Sequence, residues 1–313
     1  MRIVFMGTPD FSVPCLRALL EHGDEVVGVF TQPDKPKGRG YQMIPTPVKK
    51  EALSHGLDVY QPTSLRKGED AESAMETLRS LAPDLIVVVA YGQILPQSVL
   101  DLPKYGCVNV HASLLPKYRG AAPIQRVILD GETETGVTTM QMAAGLDTGD
   151  MLIRAATRID PNETANELHD RLSEMGAKTL CETVDAIAAG SITPEVQDDA
   201  LSCYAKMITK DMSVLDFSKP AAVIHNTIRG ISGTAFLNGK RIKFHRSELT
   251  EQTADAAQAG VLVDAASLVI ACGDGHCIRI TELQAEGGKR LRTADFLRGN
   301  KLEQGMQFTS SNQ

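Results

Sequence analysis

The chain has 313 residues, 42% of them hydrophobic and 23% charged, with a formal net charge of −7 and no tryptophan. That apolar fraction excludes disorder, and the length exceeds the roughly 100–200 residues of one domain, so two domains are expected. No apolar run approaches the ~20 residues that span a bilayer, and Met-Arg-Ile-Val-Phe-Met-Gly at the start reads as a β-strand rather than a signal peptide, so no membrane association is expected.

In chain order, strand-length apolar runs occur at 2–6, 25–31, 84–89 and 107–110, with helical patterns at 12–22 and 69–81. Leu85-Ile-Val-Val-Val89 is apolar at every position, as expected for a strand covered on both faces. The alternation predicts a doubly wound, largely parallel sheet, with ligands at the C-terminal edge of its strands. Strands at 137–142 and 150–156 then flank a glycine-rich turn at 145–149. A helix over 163–189 follows, begun in an Asn162-x-x-Ala context and closed by Gly190. Residues 200–220 read as a connector, 221–229 as a short helix, and 240–245, 260–264, 267–272 and 277–283 as strands between glycine turns. That pattern predicts a small β-barrel or sandwich.

Charge divides in the same place. Residues 1–205 hold 18 basic and 28 acidic side chains, a balance of −10, whereas residues 206–313 hold 14 and 11, a balance of +3. Between Lys206 and Arg246 there are eight basic residues and two acidic ones. Such asymmetry fits either a polyanion-binding module or a solvated basic face. The expected division is therefore 1–205 and 206–313.

The six cysteines stand singly, with no CxxC pair, so neither a disulfide framework nor a zinc site is expected and a reducing cytoplasm fits. Cys272, His276 and Cys277 come nearest to a metal cluster, but they read better as small residues on a β-hairpin.

Three segments could carry chemistry. In Cys107-Val-Asn-Val-His111, Asn109 and His111 are two apart and share one face of a strand. An amide there could donate to a developing oxyanion while the imidazole moves a proton; the alternative is a turn-capping Asn and a satisfied core His. In Ala144-Gly-Leu-Asp-Thr-Gly-Asp150, Asp147 is either a turn residue or a carboxylate that fixes the tautomer of His111. Residues 34–50 read as one long Pro- and Gly-rich loop carrying Lys35, Lys37, Arg39, Lys49 and Lys50 against Asp34, a candidate for phosphate contact or an ordinary solvated loop. Gly7-Thr-Pro-Asp-Phe11 lacks GxGxxG, and no GxxxxGK[ST] occurs, which argues against dinucleotide and P-loop sites.

Taken together, GTPDF (7–11), VVGVFTQPDKPKGRG (26–40), DLIVVVAYGQILP (84–96), NVHASLLPKYRGAAPIQ (109–125), GVTTMQMAAGLDTGDML (136–152) and KPAAVIHNTIRG (219–230) resemble the methionyl-tRNA formyltransferase family. The resemblance implies a Rossmann-like α/β formyltransferase domain followed by a smaller OB-like β-barrel that binds tRNA. It implies that Asn109, His111 and Asp147 are the catalytic trio. It further implies that Ser113, Leu114, Leu115 and Pro116, together with Tyr91, Gly92, Gln93, Ile94 and Leu95, bind 10-formyltetrahydrofolate, with Leu85–Val89 as apolar walls. Lys35, Lys37, Arg39 and Lys49, with Lys206 and Lys210, are then the expected contacts to initiator methionyl-tRNA. A metal-free monomer is the family expectation. One departure stands out: the family commonly has a Pro-Trp-Pro stretch after the Arg-Gly-x-Ser of 229–232, and here Ser232 runs directly into Gly-Thr-Ala-Phe236. Two other functions compete, a folate-dependent formyltransferase acting on an amino sugar nucleotide or another small amine, and a non-catalytic RNA-binding protein.

Overall fold

The computed structural model describes the backbone of residues 1–37 and 42–311. The chain first builds β1 (Arg2–Gly7), α1 (Val13–His22), β2 (Glu25–Phe30), β3 (Lys35–Lys37), β4 (Gln42–Ile44), α2 (Pro47–Ser54), β5 (Val59–Tyr60), α3 (Glu69–Leu81), β6 (Leu85–Val89), α4 (Gln97–Leu100) and β7 (Cys107–His111). Next come β8 (Arg119–Gly120), α5 (Pro123–Leu129), β9 (Glu134–Gln141), β10 (Met151–Arg158), α6 (Ala165–Ala188) and β11 (Tyr204–Ala205). The remainder comprises α7 (Ala221–Ile231), β12 (Gly233–Leu237), β13 (Lys240–Thr253), β14 (Leu262–Asp264), β15 (Val269–Ala271), β16 (His276–Ala285), β17 (Arg290–Arg292), α8 (Thr293–Gly299) and β18 (Phe308–Thr309).

Two compact units result. Unit 1 comprises Met1–Gly120, Thr135–Thr157 and His169–Tyr204; unit 2 comprises Ala121–Glu134, Arg158–Leu168 and Ala205–Gln313. Each is discontinuous in sequence. Segments 121–134 and 158–168, expected in the first domain, fold with unit 2.

The unit 1 sheet has the order β10-β9-β7-β6-β1-β2-β5. It is parallel from β7 to β5, and β9 runs antiparallel to β7. Strand alternation sorts its core. Val4, Met6, Ile86 and Val88 join Ala74 and Leu78 of α3 and Val99 and Leu100 of α4 in one cluster. On the other face Gly176 of α6 lies against Val110 and Val137, where a Cβ would sit 3.0 Å from Val110. Because chain order reverses about β1, the C-terminal ends of β1 and β6 flank a crevice, the position at which doubly wound sheets place ligands. Leu85–Val89 are buried throughout; Ile86 and Val88 are sheet core, so the body of this strand does not offer the ligand wall expected of it.

Two local expectations need correction. Residues 34–50 are not one loop: β3 pairs antiparallel with β4, and α2 starts at Pro47, with the Thr46 hydroxyl accepting from the Lys49 N–H at 3.1 Å. A Thr N-cap followed by Pro at N1 is a strong helix start. Likewise α6 opens on a capping box rather than at Asn162. The Glu167 carboxylate accepts from the Thr164 N–H at 2.9 Å, and the Glu167 N–H donates back to Thr164 Oγ1 at 3.4 Å.

Unit 2 is an antiparallel sheet in the order β14-β15-β16-β13-β12-β18, with β17 on β16. The fourteen-residue β13 changes register near Phe244, Arg246 and Leu249, and such bulges bend a strand strongly enough to curl its sheet. The curl brings the two ends together. Leu262 N–H donates to Met306 O at 2.8 Å, Gly305 N–H to Leu262 O at 2.9 Å, and Phe308 N–H to Gly260 O at 2.8 Å. The expected small barrel is thus closed by main-chain bonds. Ile224 and Ile228 of α7, Phe244, Ile278, Ile280, Phe296 and Phe308 fill it, with Phe244 and Phe308 edge to face at 5.6 Å.

The rebuilt link after 229–232 is short. α7 ends at Ile231, Ser232 alone turns the chain at φ +61°, and β12 begins at Gly233. The Ser232 hydroxyl lies 3.2 Å from His245 Nδ1, which ties the turn to β13. Among the described residues, no helix is long and apolar enough to cross a membrane.

Candidate active site

Asn109 and His111 are the third and last residues of β7, and both side chains lie on the Cys107 face, toward α3 and α4. Asn109 is 9% exposed, and among the described residues no hydrogen bond engages its amide. It therefore has donors to offer at the strand's C-terminal edge. His111 is 6% exposed and more constrained. Its Nε2 lies 2.9 Å from the carbonyl of Tyr118, so Nε2 carries a proton and donates it. Nδ1 faces Asp147, with the nearer carboxylate oxygen at 3.8 Å. That distance leaves room for a charge interaction but is too long for a hydrogen bond.

Asp147 reaches this place from the turn between β9 and β10, with its backbone in the left-handed region at φ +52°. Its Oδ2 accepts from the Gly120 N–H at 2.8 Å. Gly149 closes the same turn, and a Cβ there would collide with the carbonyl of Gln141. The acidic turn is therefore more than a turn: it carries a carboxylate to the histidine across 36 residues of sequence.

The segments expected to bind folate divide their residues between support and exposure. The Ser113 hydroxyl donates to Lys117 O at 2.7 Å, and Leu115 joins Met140 and Met151 in a buried cluster. Leu114 and Pro116 stay half-buried. Tyr91 is core, its hydroxyl has no hydrogen-bond partner among the described residues, and burial pushes its ionisation up. Gln93 braces the loop by accepting from Leu65 N–H at 3.0 Å and donating to Pro62 O at 2.8 Å. Leu95 is buried and Gly92 adopts φ +83°, which leaves Ile94 as the exposed side chain. Among the described residues, nothing hydrogen-bonds the backbone N–H groups of Gly92, Gln93 and Ile94.

The basic residues are less uniform. Lys35 is exposed on β3, the side chain of Lys37 and all of Arg39 lie outside the described residues, and Lys206 and Lys210 are exposed. Lys49 departs from the expectation of a free phosphate contact. Its ammonium donates to Asp34 and to Gln61, each at 2.7 Å, and the bond from Lys49, with one from the Gln61 amide, holds the Asp34 carboxyl below the usual carboxylate range. In unit 2 a cleft of about 670 Å³ runs past Lys210, Arg241 and Lys243, with Glu286 the acid among its lining residues. Cys272 and Cys277 are buried on the β15–β16 hairpin, and all six cysteines are free thiols.

Sequence reasoning missed Gln197. It is 7% exposed in the irregular chain after α6, and its Nε2 donates both to Asp147 O at 2.9 Å and to Gly149 O at 2.7 Å. A lone glutamine outside any periodic pattern gives no signal in one sequence.

The formyl transferase family model matches residues 1–184, and the formyl transferase C-terminal domain model matches residues 207–301. The chain is 50% identical to a methionyl-tRNA formyltransferase of Geobacter sulfurreducens, over 97% of this chain and 96% of that one. It is 52% identical to another of Geotalea uraniireducens, over 97% of each. Among solved structures, an N-formyltransferase from Helicobacter canadensis, in complex with folinic acid and dTDP-3-aminofucose, shares the fold. It matches with a TM-score of 0.65 at 21% identity, over 89% of this chain and 98% of that one. With both domain models matched and half its residues identical to curated members along nearly its whole length, this chain belongs to the methionyl-tRNA formyltransferase family.

Proposed function

We propose that the chain transfers the formyl group of 10-formyltetrahydrofolate to the α-amine of initiator methionyl-tRNA, in the cytoplasm and as a monomer. One observation carries the chemistry. An uncommitted amide, Asn109, stands two residues from a histidine whose second nitrogen faces a carboxylate, at the strand edge of a doubly wound sheet.

The amine nitrogen attacks the formyl carbon, the carbonyl oxygen takes up negative charge, and the bond from carbon to N10 of the folate breaks. Asn109 donates to that oxyanion, where pre-placed dipoles are worth about 3 kcal/mol or more. His111 accepts the amine's proton on Nδ1, because Nε2 is held by Tyr118 O, and returns a proton to the departing N10. The Asp147 carboxylate faces the ring position where positive charge develops. The unpaired N–H groups of Gly92–Ile94, beside the crevice between β1 and β6, suit the polar edge of a pterin, with Ile94 and Leu114 as apolar contacts. Lys35, Lys37 and Arg39, together with Lys206, Lys210 and the cleft of Arg241 and Lys243, would engage tRNA phosphates.

The test is to incubate the purified protein with 10-formyltetrahydrofolate and methionyl-tRNA, initiator and elongator, and measure formylmethionine. Formylation confined to the initiator is expected. Folate binding with no tRNA formylated would turn the acceptor into a small amine, and absence of folate binding would overturn the reaction itself. Arg39→Ala should weaken tRNA binding and flatten its salt dependence while folate affinity stays unchanged; an unaltered salt slope removes Arg39 from the interface.

A further inference from the structure

Asp147 sits in an exposed, glycine-rich turn with a left-handed backbone, yet its function as proposed above needs a fixed carboxylate 3.8 Å from His111. Something outside the turn must hold it. Gln197, fifty residues away, uses both hydrogens of its side-chain amide on the carbonyls of Asp147 and Gly149. The amide oxygen is also engaged, accepting from Arg119 Nε at 2.9 Å. Arg119 is held in its turn: its Nη2 lies 2.8 Å from Asp199, and its N–H donates to Cys203 O at 3.0 Å.

The neighbours of Arg119 hold the other two participants. Tyr118 gives its carbonyl to His111 Nε2, and Gly120 gives its N–H to Asp147 Oδ2. Three consecutive residues thus grip the histidine ring, the carboxylate and, through Gln197, the carboxylate's main chain. Tyr118 at φ +59° and Gly120 at φ +116° give this segment the bends it needs. The polarity of the Gln197 amide is also required, because a carboxylate in its place would set an oxygen where the amide nitrogen stands, against two carbonyls, and lose both donors.

We propose that Gln197 is a positioning residue: clamped by Arg119, it fixes the Asp147 backbone and hence the spacing between Asp147 and His111. This rests on the catalytic roles proposed above for those two residues. Gln197 touches no substrate in this scheme, so its loss acts on turnover rather than on binding.

The experiment is a double-mutant cycle on the full chain, with formylation kinetics for Gln197→Ala, Asp147→Asn and the pair, and Gln197→Glu as an isosteric second variant. Gln197→Ala and Gln197→Glu should each lower kcat about 10–100-fold, as displacements of about 1 Å can. KM for folate and for tRNA should stay within about twofold in each, because the substrate-contacting groups remain in place. The pH profile of kcat should move in both. In the Asp147→Asn background, Gln197→Ala should cost no further activity, because its effect runs through Asp147. A normal kcat for both Gln197 variants, an unmoved pH profile, or a full additional loss in the Asp147→Asn background each overturns the proposal. If Asp147→Asn alone turns over normally, the assignment of Asp147 is what fails.

Discussion

Two buried histidines, one in each unit, have nearly the same exposure and different partners on one ring nitrogen. His225 on α7 is 3% exposed, and both its nitrogens are satisfied: Nδ1 is 2.8 Å from Ser247 Oγ and Nε2 is 2.9 Å from Pro161 O. With Nε2 donating to a carbonyl, Nδ1 accepts the serine's hydrogen, so the neutral ring completes the set and burial holds its ionisation below the ordinary histidine range. His111 is 6% exposed and has the same kind of carbonyl partner on Nε2, but its Nδ1 meets a carboxylate at 3.8 Å instead of a hydroxyl within bonding distance. Burial does not distinguish a fully satisfied histidine from one with a nitrogen left open. The second nitrogen does, because only an uncompleted one can take a proton without breaking a bond already made.

The comparison can be broken most forcefully at His111. His111→Ala should reduce turnover about 10²–10⁴-fold with tRNA binding retained, as loss of proton transfer predicts; turnover near normal in a formylation assay would remove His111 from the chemistry. Asn109→Ala should cost about 10²–10³-fold in kcat, the usual loss for one oxyanion donor. Steady-state kinetics with a raised KM and an unchanged kcat would instead make Asn109 a binding group.

At the other histidine the sign of the outcome reverses. His225→Ala should leave activity per folded molecule intact but destabilise unit 2, by about 1–3 kcal/mol for each buried partner left unpaired. Thermal unfolding followed alongside activity separates the two. The smallest effect is the pH dependence of that stability. Because His225 is neutral when folded and its folded pKa is depressed, the unfolded chain takes up a proton first as pH falls below about 6.5. Stability contributed by the neutral ring is therefore complete above that value and declines below it, with a slope of at most about 1.4 kcal/mol per pH unit for each histidine. Burial also depresses His245, so His225→Ala should reduce the slope without abolishing it.

How far this was legible in the sequence follows from the range of the forces involved. The period-2 alternation that puts Asn109 and His111 on one face is local, and α3 was readable to its ends, Glu69–Leu81, from its apolar spacing. β13 was read only as far as residue 245. Its bulges scramble the alternation over Arg246–Thr253, so the second half of a long strand went unread. α2 opens on Pro47, which was read as loop composition rather than a helix start, and α5, opening on Pro123, was not read at all. Asp147 meets His111 through a turn that only tertiary structure brings round, and spacing carried no trace of Gln197 at all. Resemblance supplied the first of these and not the second.

The last strand of the barrel is two residues long, yet it stands between two others that would otherwise be exposed. Phe308–Thr309 pairs with β12, and the chain just before it bonds to Gly260 and Leu262 at the far end of the sheet. Removing the final ten or so residues would uncover a row of unpaired amides on each side of the opened barrel, together with the aromatic pocket that Phe308 fills. Open edges of that kind pair with other chains. A chain truncated before Gln304 should therefore be lost to aggregates before its chemistry could be assayed.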